Sequence, residues 1–231
     1  MPVQFSVCIP CWPRDTNKLK RCIRSVENQT LLPIEVIVGH SEMSTRQACL
    51  LEKKLKSSFF PVRCVSVEPP QRPGANRNLA ARHVNRSATH VAFFDADDIM
   101  HPRKLEITAN TIKKYPRSNV ILHRFIEPNK TISSRFDYDD PQVLHGNEVP
   151  IQDIPTYKKS RPFVRKTYAC HGHSTVRAPV LKRVQFPEDL RRAEDCIFIL
   201  NVVVEYGSEH SITFINLPLS VYQPSRLQNK K

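Results

Sequence analysis

Apolar residues follow two rhythms along this chain. Residues 5–9, 34–38, 62–67 and 90–94 are short apolar or β-branched runs, each closed by a proline, a glycine or an acidic residue, and they read as buried strands. Between them the apolar positions recur every three to four residues. Leu19, Cys22, Ile23 and Val26 do so within 15–28, Ala48, Leu51 and Leu55 within 44–57, and Leu105, Ala109 and Ile112 within 101–115. That is helical spacing, with Asp15 or Thr16 as an N-cap for the first helix. Pro73-Gly74 opens a further helix that runs to Val84. Strands separated by helices of ten to fifteen residues build right-handed βαβ units. The fold class expected is α/β, with a mostly parallel central sheet flanked by helices.

Past a strand at 120–122 the rhythm is lost. Residues 125–170 are polar and proline-rich without periodicity, and this segment carries no assigned strands. Order returns at 174–177, with a short helix near 179–183 and a long one at 192–206. The last is apolar almost all round (Ile197, Phe198, Ile199, Leu200, Val202, Val203), so deep burial is expected. Strands at 212–215 and 219–222 complete the fold, followed by a basic tail at 225–231. With no repeat and no linker, residues 1–231 read as one domain.

Composition narrows the partners. There are 35 Lys and Arg against 22 Asp and Glu, a formal net charge of +13, which suits nucleotide phosphates, a nucleic acid or an acidic membrane surface. No window approaches the roughly 18 apolar residues that span a bilayer. The opening Met1-Pro2-Val3-Gln4 lacks the charged and then apolar pattern of a secretory signal. A soluble cytoplasmic protein is the expectation, with peripheral membrane association left open. Seven cysteines without such a signal imply reduced thiols. Cys8 and Cys11 have Cys-x-x-Cys spacing. However, Cys8 falls inside a strand rather than at a helix start, and no second pair exists to complete a zinc site.

The chemistry gathers at Asp95-Ala96-Asp97-Asp98, three carboxylates at the expected carboxyl end of a buried strand. Ligand crevices of open α/β sheets lie there. Carboxylates this close repel unless a cation offsets them, and Mg²⁺ or Mn²⁺ prefers oxygen ligands while leaving positions for substrate phosphates. The plainer alternative is a turn that caps the following helix. Asp137-Tyr138-Asp139-Asp140, a second acidic cluster, follows no apolar run and precedes Pro141, so it reads as a surface loop.

Several phrases stand in order: Pro10-Cys11-Trp12-Pro13 after the first strand, Ser25-Val26-Glu27-Asn28-Gln29-Thr30, then Pro33-Ile34-Glu35-Val36-Ile37-Val38. Gly74 with Arg77-Asn78, Asp95-Ala96-Asp97-Asp98 and Glu194-Asp195 follow. Taken together they resemble the family 2 glycosyltransferases of the GT-A fold, well over 3–115, moderately over 171–206 and hardly at all over 125–170. The resemblance implies an inverting transferase that moves a sugar from a nucleotide-sugar donor to an acceptor hydroxyl on a glycan, lipid or protein-linked sugar. Residues 1–115 would be the donor half and 116–224 the acceptor half.

It further implies Mn²⁺ or Mg²⁺ on Asp97, with Asp95 reaching the ribose or the metal through water and Asp98 shaping the turn. Pro10, Cys11, Trp12, Gly39, His40, Ser41, Arg77 and Ala96 would complete the donor site. Asp195 would be the general base, with neighbouring Glu194 as the alternative. His171, Gly172 and His173 would lie under the acceptor. Metal ligation by the histidine pair is not expected, because a pair two residues apart is more often a turn.

Two departures stand out. Gly39-His40-Ser41 occupies the place of an Asp that holds the base in the family, so uracil preference is not implied. Tyr222-Gln223-Pro224-Ser225 lacks the late Arg and His. The rival functions are a metal-dependent nucleotidyltransferase, for which a Gly-rich phosphate loop is missing, and a basic nucleic-acid-binding module. The latter is disfavoured because the charge is spread evenly and no stacking pattern accompanies it.

Overall fold

The computed structural model describes residues 2–126, 136–149, 172–207 and 211–223. His171, most of the aperiodic segment and the basic tail lie outside the described residues. The elements are β1 (Phe5–Cys11), α1 (Leu19–Glu27), β2 (Glu35–Ser41), α2 (Thr45–Lys54), β3 (Val62–Val67), α3 (Pro73–Ala81), β4 (His90–Phe93), β5 (Ile99–Met100) and α4 (Lys104–Lys114). They continue with β6 (Val120–Ile126), β7 (Val143–His145), β8 (Thr175–Arg177), α5 (Glu194–Tyr206) and β9 (Ile212–Val221).

All the strands join one sheet in the order β3-β2-β1-β4-β8-β6-β9-β5, with β7 also on β9. β1 to β4 are parallel, β6 and β9 run with them, and β5, β7 and β8 run against them. The sheet is therefore mostly parallel, as the alternation of elements implied. Its order reverses between β1 and β4, and at such a switch point the strand ends part to leave a crevice.

The core lies on both faces of the sheet. Phe5, Val7, Ile9 and Cys11 of β1 join one cluster with α1 and α4, while Cys8 joins the other with α5. An offset of three along a strand puts two side chains on opposite faces, so Cys8 and Cys11 cannot act as a pair. Burial pushes the Cys11 thiol up to about 12 and the Cys8 thiol higher still, which makes both inert at neutral pH. On the second face Phe93 meets Phe186 edge-on at 4.8 Å, and Phe186 stacks on Phe198 of α5 at 3.9 Å. This aromatic stack presses the start of α5 against the end of β4.

Four local expectations change. The helix near 179–183 is a 3-10 turn over Ala178–Lys182. The strands at 212–215 and 219–222 are one strand, β9. Pro218 sits at a register shift opposite Arg124, where a bulge spares the missing N–H. The helix at 192–206 begins at Glu194 and is buried on one face only, since Val204 is 83% exposed. β5 and β7 add to the expected strands, because elements of two and three residues are too short to show alternation. The second acidic cluster is a surface loop, as its sequence implies. Arg103 pairs with Asp139 at 2.6 Å, and Tyr138 stacks on His101 at 4.4 Å.

Candidate active site

At the carboxyl end of β4 the chain turns through Phe94-Asp95-Ala96-Asp97-Asp98, closed by Asp98 N–H donating to Asp95 O at 3.2 Å. Phe94 and Ala96 anchor the turn in the core. Asp97 consequently turns away from the other two, whose carboxylates approach each other beside His173.

Asp95 points across the crevice to α3. The helix starts where Gly74 packs so tightly that a methyl there would stand 2.1 Å from Pro187 O. Asn76 Nδ2 donates to Cys11 O (3.0 Å) and to Ser41 Oγ (3.1 Å), and Asn78 donates to Phe186 O and accepts from Phe186 N–H. Between these two asparagines, buried Arg77 donates to Asp95 Oδ1 at 2.7 Å and to Glu194 Oε1 at 2.5 Å. Burial works against the guanidinium charge, but the two carboxylates outweigh it and raise the pKa. One side chain of α3 thus joins the β4 turn to the start of α5, reaching a carboxylate 117 residues further along the chain than itself.

Asp98 points inward and is fully buried. Its Oδ1 accepts the Gln223 N–H at 2.6 Å, and burial pushes its carboxyl up to about 8 despite that bond. Its Oδ2 lies 2.7 Å from His173 Nε2 but lacks an aligned hydrogen bond. His173 Nε2 is also 3.9 Å from Asp95 Oδ2, and its Nδ1 meets Ser220 Oγ at 2.7 Å. Lys104, completely buried, donates to His173 O at 3.4 Å with its ammonium 4.6 Å from the Phe94 ring centroid. Burial lowers that lysine to about 7. The ligand-capable atoms of Asp95, Asp98 and His173 lie within 4.8 Å of one another.

This cluster fits a divalent cation. It offers two carboxylate oxygens and one imidazole nitrogen, a set that suits Mn²⁺ better than Mg²⁺. The ring is oriented through its other nitrogen, as metal-ligating histidines usually are. The buried Asp98 oxygen without a hydrogen bond is the kind of atom a cation would satisfy. The grouping differs from the expectation of Asp97 with Asp95, and it includes a histidine whose ligation was not expected. No sequence signal could have joined Asp98 to His173, because they meet only through the pairing of β4 with β8.

Asp97 faces the β1–α1 connection instead. Its carboxylate is 3.3 Å from Lys18 Nζ, which also holds Asp15 at 2.8 Å, and Arg21 donates to its backbone oxygen at 2.7 Å. Asp195 opens α5 beside Glu194. Its Oδ1 accepts the Cys196 N–H at 2.8 Å, and burial together with Glu194 raises its carboxyl to about 6. Ala193, just before, is held at φ 63°, a left-handed conformation that sets the entry angle of the helix.

Of the residues expected around the donor, Trp12 is half-buried and donates Nε1–H to Gln71 O at 2.9 Å. Pro10 and Cys11 are buried in β1. Gly39 lies under α3, where a methyl would stand 2.3 Å from Asn76 O. His40 is fully buried between Thr16 Oγ1 (2.9 Å) and Ser41 O (2.5 Å). In this arrangement Gly39 and His40 hold α3 and the β1–α1 connection to β2 rather than face the crevice. Gly172 fits flush on the ion pair, since a methyl there would be 2.1 Å from Arg77 Nη2 and under 3 Å from both Asp95 oxygens. Lys18, Lys104, Ser220 and Gln223 are the site residues that sequence reading missed.

The profile of the glycosyl transferase family 2 matches residues 6–183. An uncharacterized glycosyltransferase of Rickettsia conorii, RC0461, is 26% identical over 222 residues, covering 94% of this chain and 32% of its own length. Another from Methanocaldococcus jannaschii, MJ1057, is 23% identical over 201 residues, covering 86% of this chain and 64% of its own. The chain therefore spans a third to under two thirds of these relatives. Among solved structures, S. aureus TarS 1–349 in complex with UDP superposes with a TM-score of 0.67 at 21% identity, over 96% of this chain and 61% of TarS 1–349. The same protein with UDP-GlcNAc gives 0.66 at 18% identity, over 97% and 59%. With the strand order, the acidic turn and the family match in agreement, the chain belongs to the family 2 glycosyltransferases and has their GT-A fold.

Proposed function

We propose that this chain transfers a sugar from a nucleotide-sugar donor to an acceptor hydroxyl with inversion at the anomeric carbon, and that Asp195 is the general base. The observation that carries this reading is the Arg77 bridge, which gathers the acidic turn of β4 and the acidic start of α5 at one crevice. It also supports a choice between the two candidate bases. Glu194 is buried and engaged by Arg77 at 2.5 Å, so its role is to position; Asp195 is the half-buried neighbour left to act.

Asp195 would take the acceptor hydroxyl proton as that oxygen bonds to the anomeric carbon. The bond from that carbon to the diphosphate oxygen breaks at the same time, and the nucleoside diphosphate departs with the electron pair. A divalent cation on Asp95, Asp98 and His173, with Asp97 at the mouth, would supply charge neutralisation for the departing diphosphate. Trp12, half-buried and tied to Gln71, would border the donor side, and Gly172, seated on the Arg77–Asp95 pair, would lie between donor and acceptor. TarS was solved with UDP and UDP-GlcNAc, so uridine nucleotides are the first donors to try. The buried His40 gives no reason to exclude the other bases.

The test joins binding to turnover. Thermal shift with UDP, GDP, CDP and dTDP, with and without Mn²⁺, should give a metal-dependent rise with at least one diphosphate. Asp195→Asn should abolish sugar transfer from the matching donor and leave that rise intact. Full turnover by Asp195→Asn would overturn the assignment of the base, and stabilisation by an oligonucleotide alone would overturn the reading as a transferase.

A further inference from the structure

The outer face of α2 and the loop that leads into β3 form a second surface. Ala48, Leu51 and Leu55 turn α2 to the core, so Arg46, Leu50, Lys53 and Lys54 share the opposite face and are exposed. Among the described residues, two of the four exposed large hydrophobic side chains lie here, Leu50 at 52% and Phe59 at 61%. Phe59 shares one depression with Lys53, Lys56 and Arg63. Glu52 lines the same depression, where its carboxylate accepts the Cys64 N–H at 2.9 Å. Arg63 is paired with Glu35 at 2.9 Å, whereas Arg46, Lys53, Lys54 and Lys56 make no ion pair among the described residues.

We infer that this face docks the protein on an anionic lipid bilayer. Four unpaired cations flank two protruding apolar side chains, which is the chemistry of an interfacial helix. The cations meet acidic headgroups while Leu50 and Phe59 enter the acyl boundary. A protein ligand for so small an apolar area would need carboxylates spaced to match mobile lysines, whereas a fluid headgroup layer adapts to them. No helix among the described residues is long and apolar enough to cross a membrane, so the contact is peripheral.

This placement also orients the crevice. α2 is the crossover between the parallel, neighbouring strands β2 and β3, so it lies antiparallel to them. A bilayer against its outer face then runs along the strands, and the crevice at the strand ends opens along the headgroup layer rather than away from it.

Co-sedimentation of the chain with vesicles tests this. Phosphatidylcholine vesicles containing about a third phosphatidylglycerol should retain the protein at low salt, and pure phosphatidylcholine should not. Each cation removed should weaken partition about fivefold, so Lys53→Gln with Lys56→Gln should lose about 25-fold. Leu50→Ser with Phe59→Ser should abolish the binding that survives at high salt. All four side chains are exposed or border the open depression, so the variants should keep the parent melting temperature and nucleotide response. Equal binding to both vesicle types, no binding to either, unchanged partition of the variants, or tighter binding to an oligonucleotide at matched phosphate would each overturn the proposal. Because the readout is partition, it can fail while sugar transfer stands, and the reverse.

Discussion

Ala193 occupies a left-handed backbone conformation one residue before the acidic pair of α5. A side chain there costs about 1 kcal/mol, which glycine avoids. Ala193→Gly should raise stability by about 0.5–1 kcal/mol in denaturant melts, less the entropy that glycine loses on folding. Gly172 is the opposite case. Its missing side chain lets the backbone rest on the Arg77–Asp95 pair, and Arg77 cannot swing aside without leaving two carboxylates uncompensated. Gly172→Ala should cost about 3 kcal/mol and remove activity, since breaking a buried ion pair strands a charge. His90 gives a pH signature. Burial holds its imidazole near 4, against an ordinary value of 6.5, beside Arg177. Below 6.5 the unfolded chain binds a proton that the folded one refuses, so stability is intact above that pH and falls as acid approaches 4. The loss is on the order of 3 kcal/mol. His90→Gln should flatten that part of the curve in melts taken at successive pH values. None of these roles was legible in the residue types, because each is set by what a neighbour from a distant segment leaves open.

Among the elements, α3 contributes most to the site. Its outward signal was only a short phrase, Gly74 with Arg77-Asn78, yet its members act differently. Gly74 permits close approach, Arg77 bridges two carboxylates, and Asn78 clamps residues 186–188. Gly39 on β2 receives the helix, with Asn76 O where a methyl would sit. Gly39→Ala should push α3 outward, disturb the Asn76 bonds to Cys11 and Ser41, and lower the melting temperature by several degrees, as an overpacking change does. Gly39 and His40 pack α3 and the β1–α1 connection against β2, a placement set by a helix whose approach the sequence pattern does not specify. On α5 an apolar run reads as burial on all sides, but a helix laid on a sheet covers one face, and Val204 stays in solvent. The same helix carries the pH dependence of the proposed chemistry. Burial and Glu194 raise Asp195 to about 6, so the protonated, inactive base accumulates as pH falls through that value. The ratio kcat/KM should therefore drop about tenfold per pH unit well below 6 and level off above it, in initial rates with the matching donor.

At the scale of the molecule, two halves share one sheet through the β4–β8 and β5–β9 pairs, and Arg77 links them at the crevice. The first, up to α4, has alternating strands and helices whose periodicity was readable directly, because strands covered on both faces are apolar throughout. The later half adds antiparallel strands β7 and β8 and the long β9. Their pairing depends on partners far away in sequence, so β7 carries no local signal and the split expected at Pro218 is one continuous strand. The cluster of Asp95, Asp98 and His173 belongs to this scale too, since β4, β8 and β9 must pair before those three side chains approach. Titration calorimetry with Mn²⁺ should lose its heat in Asp98→Asn and in His173→Gln, while Asp97→Asn should mainly weaken the Mn²⁺-dependent response to diphosphate. By itself the sequence determined the α/β class, the parallel first half, the acidic turn at a strand end and the acidic opening of the late helix. Each of those is written in local spacing. Tertiary structure alone decided that Asp95 and Asp98 approach His173, which of the late pair is engaged by Arg77, and that His40 faces the interior. Those outcomes depend on which distant segments come to lie side by side, and a repeat of two or of 3.6 residues carries no information about that.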